Sequence, residues 1–160
     1  MTFFRRLALC LLVLSSLGTT VKAQTNCQVL NDSCEYYLCK EMQTPCGKNG
    51  YTLGFGYHYC LKYQDDRGYS DAGKDWLYTV RGCLQERLDE LPSHTMCIDL
   101  KKHAIASHYQ CYIDAGYCDL PLSDKRRVLR TAATAVFNFD VILSGLKILG
   151  KCAQEEKVVW

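Results

Sequence analysis

The chain has 160 residues, of which 48% are hydrophobic and 22% are charged, and its formal net charge at pH 7 is +2. This length suits one domain with a moderate core, and the near balance of charge gives no indication of a nucleic-acid or anionic-membrane partner. The longest apolar stretch of the later sequence, residues 135–150, contains two charged side chains and is too short to span a bilayer.

Residues 1–23 have the pattern of a secretory signal peptide. Two arginines precede an apolar run at residues 7–14, and the segment ends in small residues. We therefore predict that this leader is removed and that the mature protein begins near Gln24. The mature chain, residues 24–160, is predicted to form a single helical domain.

Ten cysteines remain after the predicted leader, because Cys10 lies within it. An even number in a secreted chain indicates five disulfide bonds and an oxidising compartment, outside the cell or, in a bacterium, in the periplasm. Zinc is the competing explanation, but no Cys-x2-Cys pair occurs and the four histidines do not recur at ligand spacing. We expect no metal and no cofactor. The cysteines predicted to be bonded are Cys27, Cys34, Cys39, Cys46, Cys60, Cys83, Cys97, Cys111, Cys118 and Cys152.

The first part of the mature chain, residues 26–63, is predicted to be a cysteine-rich segment of short helices. It holds five of the ten cysteines, and its glycines mark turns between short elements. Residues 34–42 and residues 55–63 are each long enough for about two helical turns. Disulfide bonds should carry much of the order here.

Two long helices follow in the sequence. Ser70 and Asp71 can both cap the first, which Pro92 ends. The second is predicted over residues 95–115, with Gly116 as its stop. Its predicted buried stripe contains Cys97, Leu100, Ala104, His108, Cys111 and Tyr112.

A third and longest helix is predicted from a cap at Ser123 to about Gly150. Lys147 and Lys151 near its end suit the helix dipole. Its predicted inner side contains Val128, Leu129, Ala132, Ala135, Val136, Phe139, Ile142, Leu143, Leu146 and Leu149. Since no strand pattern of useful length occurs, the sequence predicts an all-α, disulfide-rich domain with three long helices and a cysteine-rich N-terminal segment of short helices.

The segment "ASHYQCYIDAGYC", residues 106–118, raises the question of an active site at His108. It loosely resembles the His-Asp-x-Cys-Tyr string of secreted phospholipases A2, but Tyr109 stands where their calcium-binding aspartate should be. Without that carboxylate no metal would polarise an ester. A nucleotide loop is disfavoured because Asn49 follows the Gly-Lys pair, and ten cysteines in five bonds leave no free thiol. We predict that the protein is not an enzyme and has no catalytic residue, and that His108 is structural or a rim residue.

Few residues indicate a surface modification or a contact with a partner. Asn31 begins an N-x-S glycosylation acceptor in a cysteine-flanked loop. The densest group of aromatic residues is Tyr57 and Tyr59 with Tyr63 and Tyr69, and tyrosine suits interfaces because it buries area while keeping a polar tip. We assign these four tyrosines as candidate partner contacts, with the alternative that about half of them cover the small core.

The cysteine spacings resemble those of the stanniocalcins, secreted disulfide-rich helical glycoprotein hormones of animals. From Cys27 onward the gaps are 7, 5, 7, 14, 23, 14, 14, 7 and 34 residues, and the first ten cysteines of that family follow the same order with closely similar gaps. The "GKDW" stretch ten residues before Cys83 is similar to a Gly-Lys-aromatic stretch of the family, and "CYIDAGYC" matches its Cys-Tyr-x5-Cys. The resemblance covers the chain from Cys27 to Cys152.

The resemblance implies a disulfide pairing and a departure from it. The implied bonds are Cys27 to Cys39, Cys34 to Cys60, Cys46 to Cys97, Cys83 to Cys111, and Cys118 to Cys152. Stanniocalcins use an eleventh cysteine to join two chains, whereas no cysteine follows Cys152 in this sequence. We therefore expect no disulfide-linked dimer. A non-covalent dimer would use apolar surface such as Val158, Val159 and Trp160, with the alternative that these residues form a frayed tail.

The resemblance also implies that the protein acts by binding. Stanniocalcins affect calcium and phosphate handling, and members inhibit a secreted metalloprotease of the pappalysin type. The first hypothesis is therefore a secreted, non-enzymatic, hormone-like regulator whose partner is a secreted protease or a cell-surface receptor. The alternative is a secreted cysteine-rich helical module of the cell envelope or a host-directed effector. A phospholipase A2-like hydrolase is the least favoured.

Overall fold

The computed structural model describes residues 26–135 and 139–158, and all regular secondary structure within them is helical. The helices are α1 Glu35–Gln43, α2 His58–Asp65, α3 Asp71–Asp89, α4 Cys97–Asp114, α5 Leu122–Ala133 and α6 Phe139–Val158. A π-helical segment, Tyr51–Tyr57, runs directly into α2, and Tyr117–Asp119 forms a short 3-10 turn. The predicted fold class is confirmed, with α3, α4 and α6 as the three long helices.

Some of the predicted features lie in parts of the chain outside the described ranges. The leader at residues 1–23, Val136 and the terminal Val159 and Trp160 lie outside the described residues. Within the described ranges, no helix combines the length and the apolar composition that crossing a membrane requires.

Five disulfide bonds tie the helices together. They are Cys27–Cys39, Cys34–Cys60, Cys46–Cys97, Cys83–Cys111 and Cys118–Cys152. The first two hold the N-terminal segment to α1 and α2, and the next two join that segment to α4 and α3 to α4. These are the same five pairs that the resemblance to stanniocalcins implies.

Helix α3 begins where the sequence predicts, because Ser70 caps it and α5 supports the cap. Ser70 Oγ accepts a hydrogen bond from Gly73 N at 3.2 Å. The buried Asp124 of α5 accepts hydrogen bonds from Ser70 N, at 3.1 Å, and from the Ser70 hydroxyl. A Cβ at Gly73 would lie 2.7 Å from Asp124 Oδ2. Glycine at this position is therefore what allows α3 and α5 to approach so closely.

A buried amide fastens the N-terminal segment to the middle of α3. Gln85 is 0% exposed. Its Oε1 accepts a hydrogen bond from Leu30 N at 2.8 Å, and its Nε2 donates to Leu30 O at 3.1 Å and to Ser33 O at 2.8 Å. One side chain thus satisfies three backbone groups of a loop that is not part of any regular element.

Helix α4 follows the predicted second helix closely. Gly116 adopts φ 86° and ends it in the left-handed conformation, as predicted. The predicted buried stripe is correct at Leu100, Ala104 and Cys111, each at most 2% exposed. Cys97 is an exception, because it lies exposed at the start of the helix, where its bond to Cys46 holds it.

The predicted third helix is in fact two helices, α5 and α6. A continuous helix over residues 123–150 would be about 42 Å long, whereas the Cα atoms of Cys118 and Cys152 are 5.1 Å apart. The chain must therefore reverse between these two cysteines. It does so after α5, where Thr134 N and Ala135 N donate to carbonyl groups three residues earlier.

The start of α5 also differs from the prediction. Pro121, not Ser123, occupies the cap position, and no side chain caps the helix there. The Pro121 carbonyl accepts hydrogen bonds from Asp124 N at 2.9 Å and Lys125 N at 3.0 Å. Asp124 itself turns away to hold Ser70, so its carboxylate serves α3 instead of its own helix.

The side of α6 that was predicted to face inward is exposed. Phe139, Ile142, Leu143, Leu146 and Leu149 have between 39% and 69% of their surface exposed. The residues that pack against the core are instead Val141, Ile148 and Cys152. Helix α6 carries two apolar arcs, and the bond to Cys118 determines which of them turns inward. On α5 the prediction is correct for the buried Val128, whereas Leu129 is 43% exposed.

Candidate functional site

His108 lies on the inner face of α4 among aromatic rings. Its Nδ1 is 2.8 Å from the carbonyl oxygen of Ala104, one helical turn earlier. Its ring centroid lies 6.0 Å from that of Phe55 and 5.7 Å from that of Tyr112. Because a carbonyl only accepts, Nδ1 carries the proton and Nε2 is the acceptor in the neutral ring. These contacts orient the ring as part of a packed wall.

Burial lowers the pKa of His108 from its ordinary value of 6.5, and the hydrogen bond to the Ala104 carbonyl partly opposes this effect. The imidazole is therefore neutral in the folded protein at neutral pH. Burial also raises the pKa of Tyr112 to about 12 and raises the pKa of Tyr51 and Tyr63. The phenols around His108 therefore keep their protons, so these phenols and the imidazole are all uncharged at neutral pH.

The lowered pKa of His108 predicts a pH-dependent stability. Below about pH 6.5 the unfolded chain binds a proton that the folded chain does not, so the free energy of unfolding decreases as the pH falls. The slope for one such group is at most about 1.4 kcal/mol per pH unit. Urea unfolding at several pH values between 5 and 7.5 measures it.

The matched variants for this test are His108→Gln and His94→Gln, the second at an exposed position between α3 and α4. We expect the part of the pH dependence between pH 5 and 6.5 to shrink in His108→Gln and to remain in His94→Gln. An unchanged slope in His108→Gln would show that His108 titrates alike in the folded and unfolded chains.

An apolar cavity lies beside His108, between α2, α3, α4 and the two C-terminal helices. We call it the aromatic cavity. Its larger chamber has a volume of about 70 Å3, and the smaller one about 60 Å3. The residues that line both chambers are Phe55, His108, Tyr112, Ala132 and Val141.

The lining of the aromatic cavity is uncharged. No aspartate, glutamate, lysine or arginine among the described residues lines either chamber. The larger chamber is bounded by Trp76, whose Nε1 donates to the carbonyl of Tyr112 at 3.4 Å. The smaller chamber contains Ser144, whose buried Oγ has no hydrogen-bond partner within the described part of the chain.

The four tyrosines predicted as partner contacts have different environments. Tyr69 is 4% exposed and packs in the core, so its assignment as an exposed contact is corrected. Tyr63 lines the aromatic cavity and its hydroxyl donates to the carbonyl of Val128 at 3.3 Å. Tyr59 lines the same cavity, and Tyr57 is half-buried against the part of the core that contains Tyr51 and Leu100. Burial in the core therefore removes Tyr69 from the candidate partner contacts, while Tyr57, Tyr59 and Tyr63 are half-buried.

The glycosylation signal lies against α3. Asn31 is half-buried, and a Cβ at Gly82 would lie 2.5 Å from Asn31 Nδ2. The amide that would receive a sugar therefore packs on the α3 backbone. Modification of Asn31 stays a prediction.

A second candidate site is the exposed arc of α6. We call Phe139, Ile142, Leu143, Leu146 and Leu149 the α6 apolar face. Phe139 and Leu146, at 69% and 59% exposed, are its most open members. Four of its residues follow one another at steps of three, four and three, which makes a continuous stripe of about 15 Å. Sequence reasoning found these residues but assigned them to the core, because periodicity alone cannot tell which of two apolar arcs is buried.

Metal-ligating side chains do not cluster in the residues that the structure describes. In the part of the chain that the structure describes, no three His, Cys, Asp or Glu side chains are grouped so as to hold a metal ion. Comparisons of the chain with protein-family models, with curated proteins and with solved structures find no match. Function is therefore inferred from the chain's own geometry and cysteine pattern.

Proposed function

We propose that this chain is a secreted, non-enzymatic, stanniocalcin-like regulatory protein that binds a protein partner through the α6 apolar face. The partner is a secreted protease or a cell-surface receptor. The observation that carries the binding role is the exposure of five large apolar side chains on one helix. Contiguous apolar surface of this kind marks interaction sites in soluble proteins.

The spacing of the α6 apolar face supports a helical partner. Phe139, Ile142, Leu146 and Leu149 follow the pattern by which an amphipathic helix packs against another helix or into a groove. The charged Lys147 borders the stripe, and an apolar centre with a polar rim is the usual composition of an interface.

The disulfide pattern supports the stanniocalcin-like and secreted parts of the proposal. Ten cysteines can be joined in on the order of 1,000 ways, and the five bonds present are those that the resemblance implies. Bonds in this number are typical of oxidising compartments. The non-enzymatic part is supported by His108, whose contacts are a backbone carbonyl and two aromatic rings.

The test uses Leu146→Lys in the centre of the α6 apolar face and Ile98→Lys as its matched control. Ile98 lies on α4 and is 67% exposed, so both variants place a lysine where solvent already reaches. The purified oxidised proteins are assayed for binding and inhibition of a secreted pappalysin-type metalloprotease. We expect Leu146→Lys to weaken both by roughly 30-fold, as at an interface hot spot, and Ile98→Lys to match the wild type.

Two outcomes would contradict the proposal. If the wild type neither binds nor inhibits the protease, the stanniocalcin-like role fails for that partner class. If the wild type binds and Leu146→Lys binds equally well, the α6 apolar face is not the contact surface. Sedimentation of both variants shows in addition whether the face joins two copies of this chain instead.

A further inference from the structure

Positive charge is unevenly distributed along the chain and is densest on α5. Four of the nine residues from Leu122 to Arg130 are lysine or arginine. The one acidic residue among them, Asp124, is buried and accepts hydrogen bonds from Ser70. The near balance of charge in the whole chain therefore includes a local basic surface, which the proposed contact through the α6 apolar face does not use.

Two arginines form the centre of this surface. Arg126 and Arg130 are exposed on α5 and lie one helical turn apart, so they share one face of the helix. Neither forms an ion pair within residues 26–135 and 139–158. The guanidinium group of arginine presents its N–H donors in one plane and can bind an oxyanion through two hydrogen bonds at once. Both side chains can therefore bind an anion from outside the molecule.

Two basic residues from the neighbouring part of the chain extend the surface. Lys62 of α2 donates to Thr134 Oγ1 at 3.1 Å, just after the end of α5. Asp66 accepts a hydrogen bond from Arg127 at 2.9 Å, and this contact holds the adjoining, exposed Arg67 beside the middle of α5. Arg130 lies between the two contacts, because it is three residues after Arg127 and four before Thr134. We call Lys62, Arg67, Arg126 and Arg130 the α5 basic face.

Few acidic groups oppose the α5 basic face. Asp66 is bonded to Arg127 through both of its oxygens, at 2.9 and 3.3 Å, and Asp124 is buried. The exposed acidic residues that remain nearby in the chain are Asp65 at the end of α2 and Asp119 shortly before α5. Four basic side chains against these two leave an excess of positive charge that attracts an anionic partner.

The composition of α5 favours a linear polyanion over a membrane surface. A helix that binds at a membrane surface turns a broad apolar face outward, with aromatic residues on it. Helix α5 contains no aromatic residue, and its Val128 is buried in the core. Only Leu122 and Leu129 among its large apolar side chains are exposed. A stretch as rich in lysine and arginine as residues 125–130 is typical of sites for nucleic acid or heparin.

We propose that the α5 basic face binds a sulfated polysaccharide of the heparin type, with Arg126 and Arg130 hydrogen-bonded to its sulfate groups. The choice of a polysaccharide over a nucleic acid rests on the proposed secretion of the protein. Because the face lies on a different helix from the α6 apolar face, the polysaccharide holds the protein at cell surfaces and leaves α6 to its protein partner.

Binding is tested by calorimetric titration of the oxidised mature chain with heparin, from about 50 to 200 mM NaCl. We expect saturable binding that weakens as the salt concentration rises, because bound cations are released from the polyanion when basic side chains replace them. A wild-type chain that does not bind heparin at the lowest salt concentration would overturn the proposal.

Matched double variants locate the contact. Arg126→Gln/Arg130→Gln should weaken heparin binding at least tenfold and reduce the slope of log affinity against log salt concentration by roughly 1–2. Lys101→Gln/Lys102→Gln removes the same charge from exposed positions on α4 and should match the wild type. Equal weakening in both variants would overturn the proposal, because affinity would then follow net charge alone. All four positions are exposed or lie on helix surfaces, so urea unfolding of both variants should give the wild-type midpoint.

Two further ligands test the class of partner. We expect duplex DNA to bind at least tenfold more weakly than heparin, and vesicles of phosphatidylcholine and phosphatidylserine not to bind. Equal affinity for DNA would overturn the choice of a polysaccharide, and vesicle binding that Arg126→Gln/Arg130→Gln abolishes would assign the α5 basic face to membranes instead. None of these measurements uses the protease. A chain that binds heparin but not the protease therefore keeps this inference and loses only the proposed regulatory role.

Discussion

Replacing Cys83 and Cys111 together by alanine is expected to lower the free energy of unfolding by about 5 kcal/mol. The bond joins α3 to α4 and closes 28 residues of chain. The chain-entropy model assigns a bond of this span about 3.5 kcal/mol. Cys111 is also fully buried, so removal of its sulfur leaves a void in the core that adds about 1–2 kcal/mol. Urea unfolding followed by far-ultraviolet circular dichroism measures the change.

The bond between Cys118 and Cys152 provides the control, because it closes a similar span of 34 residues. Chain entropy alone predicts that losing it costs slightly more than losing Cys83–Cys111. Both of its cysteines are half-exposed, so packing predicts that it costs less. A larger loss in Cys118→Ala/Cys152→Ala than in Cys83→Ala/Cys111→Ala would show that the position of Cys111 in the core adds nothing.

The second large effect is expected from Gln85→Leu, which keeps the size of the side chain but removes its amide. Leu30 N and Ser33 O would lose the partner that the structure gives them, and Leu30 O would keep only its hydrogen bond from Ser33 N, at 3.2 Å. A buried group left without a partner costs about 1–3 kcal/mol, and the loop can relax towards water. We therefore expect a loss of about 3–5 kcal/mol in the free energy of unfolding.

Gln110→Leu is the matched control for Gln85→Leu. Gln110 is exposed on α4, and its amide contacts the side chain of Asp114. The same chemical change there should alter the free energy of unfolding by about 0.5 kcal/mol or less. If Gln85→Leu were as mild as this control, the N-terminal loop would be held by its disulfide bonds alone.

Local chemistry was sufficient to predict α3 and α4. Ser70 starts α3 and Gly116 ends α4, and both act through bonds or backbone angles within a few residues of themselves. The short helices of the N-terminal segment were predicted from length and cysteine density in the same way. The residues that start and end these helices lie beside the helices themselves, so the local sequence is sufficient to predict where each helix begins or ends.

The division between α5 and α6 required a comparison of two predictions. Each half of the predicted helix has a helical apolar period, and no proline or glycine stands at the break around Thr134. The bond between Cys118 and Cys152, however, excludes a straight helix between them by distance alone. One continuous helix and a bond between Cys118 and Cys152 cannot both be correct, and the structure shows that the helix is the one that breaks.

The cavity and the buried position of Gln85 could not be predicted because they depend on contacts between distant parts of the chain. Ser144 and Ala132 are unremarkable in sequence, and they line a cavity only because α5 and α6 fold back over α4. Gln85 is similar, since its partners precede it by more than fifty residues. Polar residues that pair across such separations leave no local pattern.

The order of the cysteines has a consequence for how the protein matures. The bonds Cys27–Cys39, Cys34–Cys60, Cys46–Cys97 and Cys83–Cys111 interleave, each with the next, and the fifth bond alone joins two cysteines that are neighbours in the series. A chain that oxidises as it is synthesised meets Cys34 before the native partner of Cys27, so the first available bond is a wrong one. Native pairing then requires attack of free thiolates on bonds already formed. Yield of the native protein is therefore governed by the rate of disulfide exchange, and an isomerase should raise it more than a stronger oxidant.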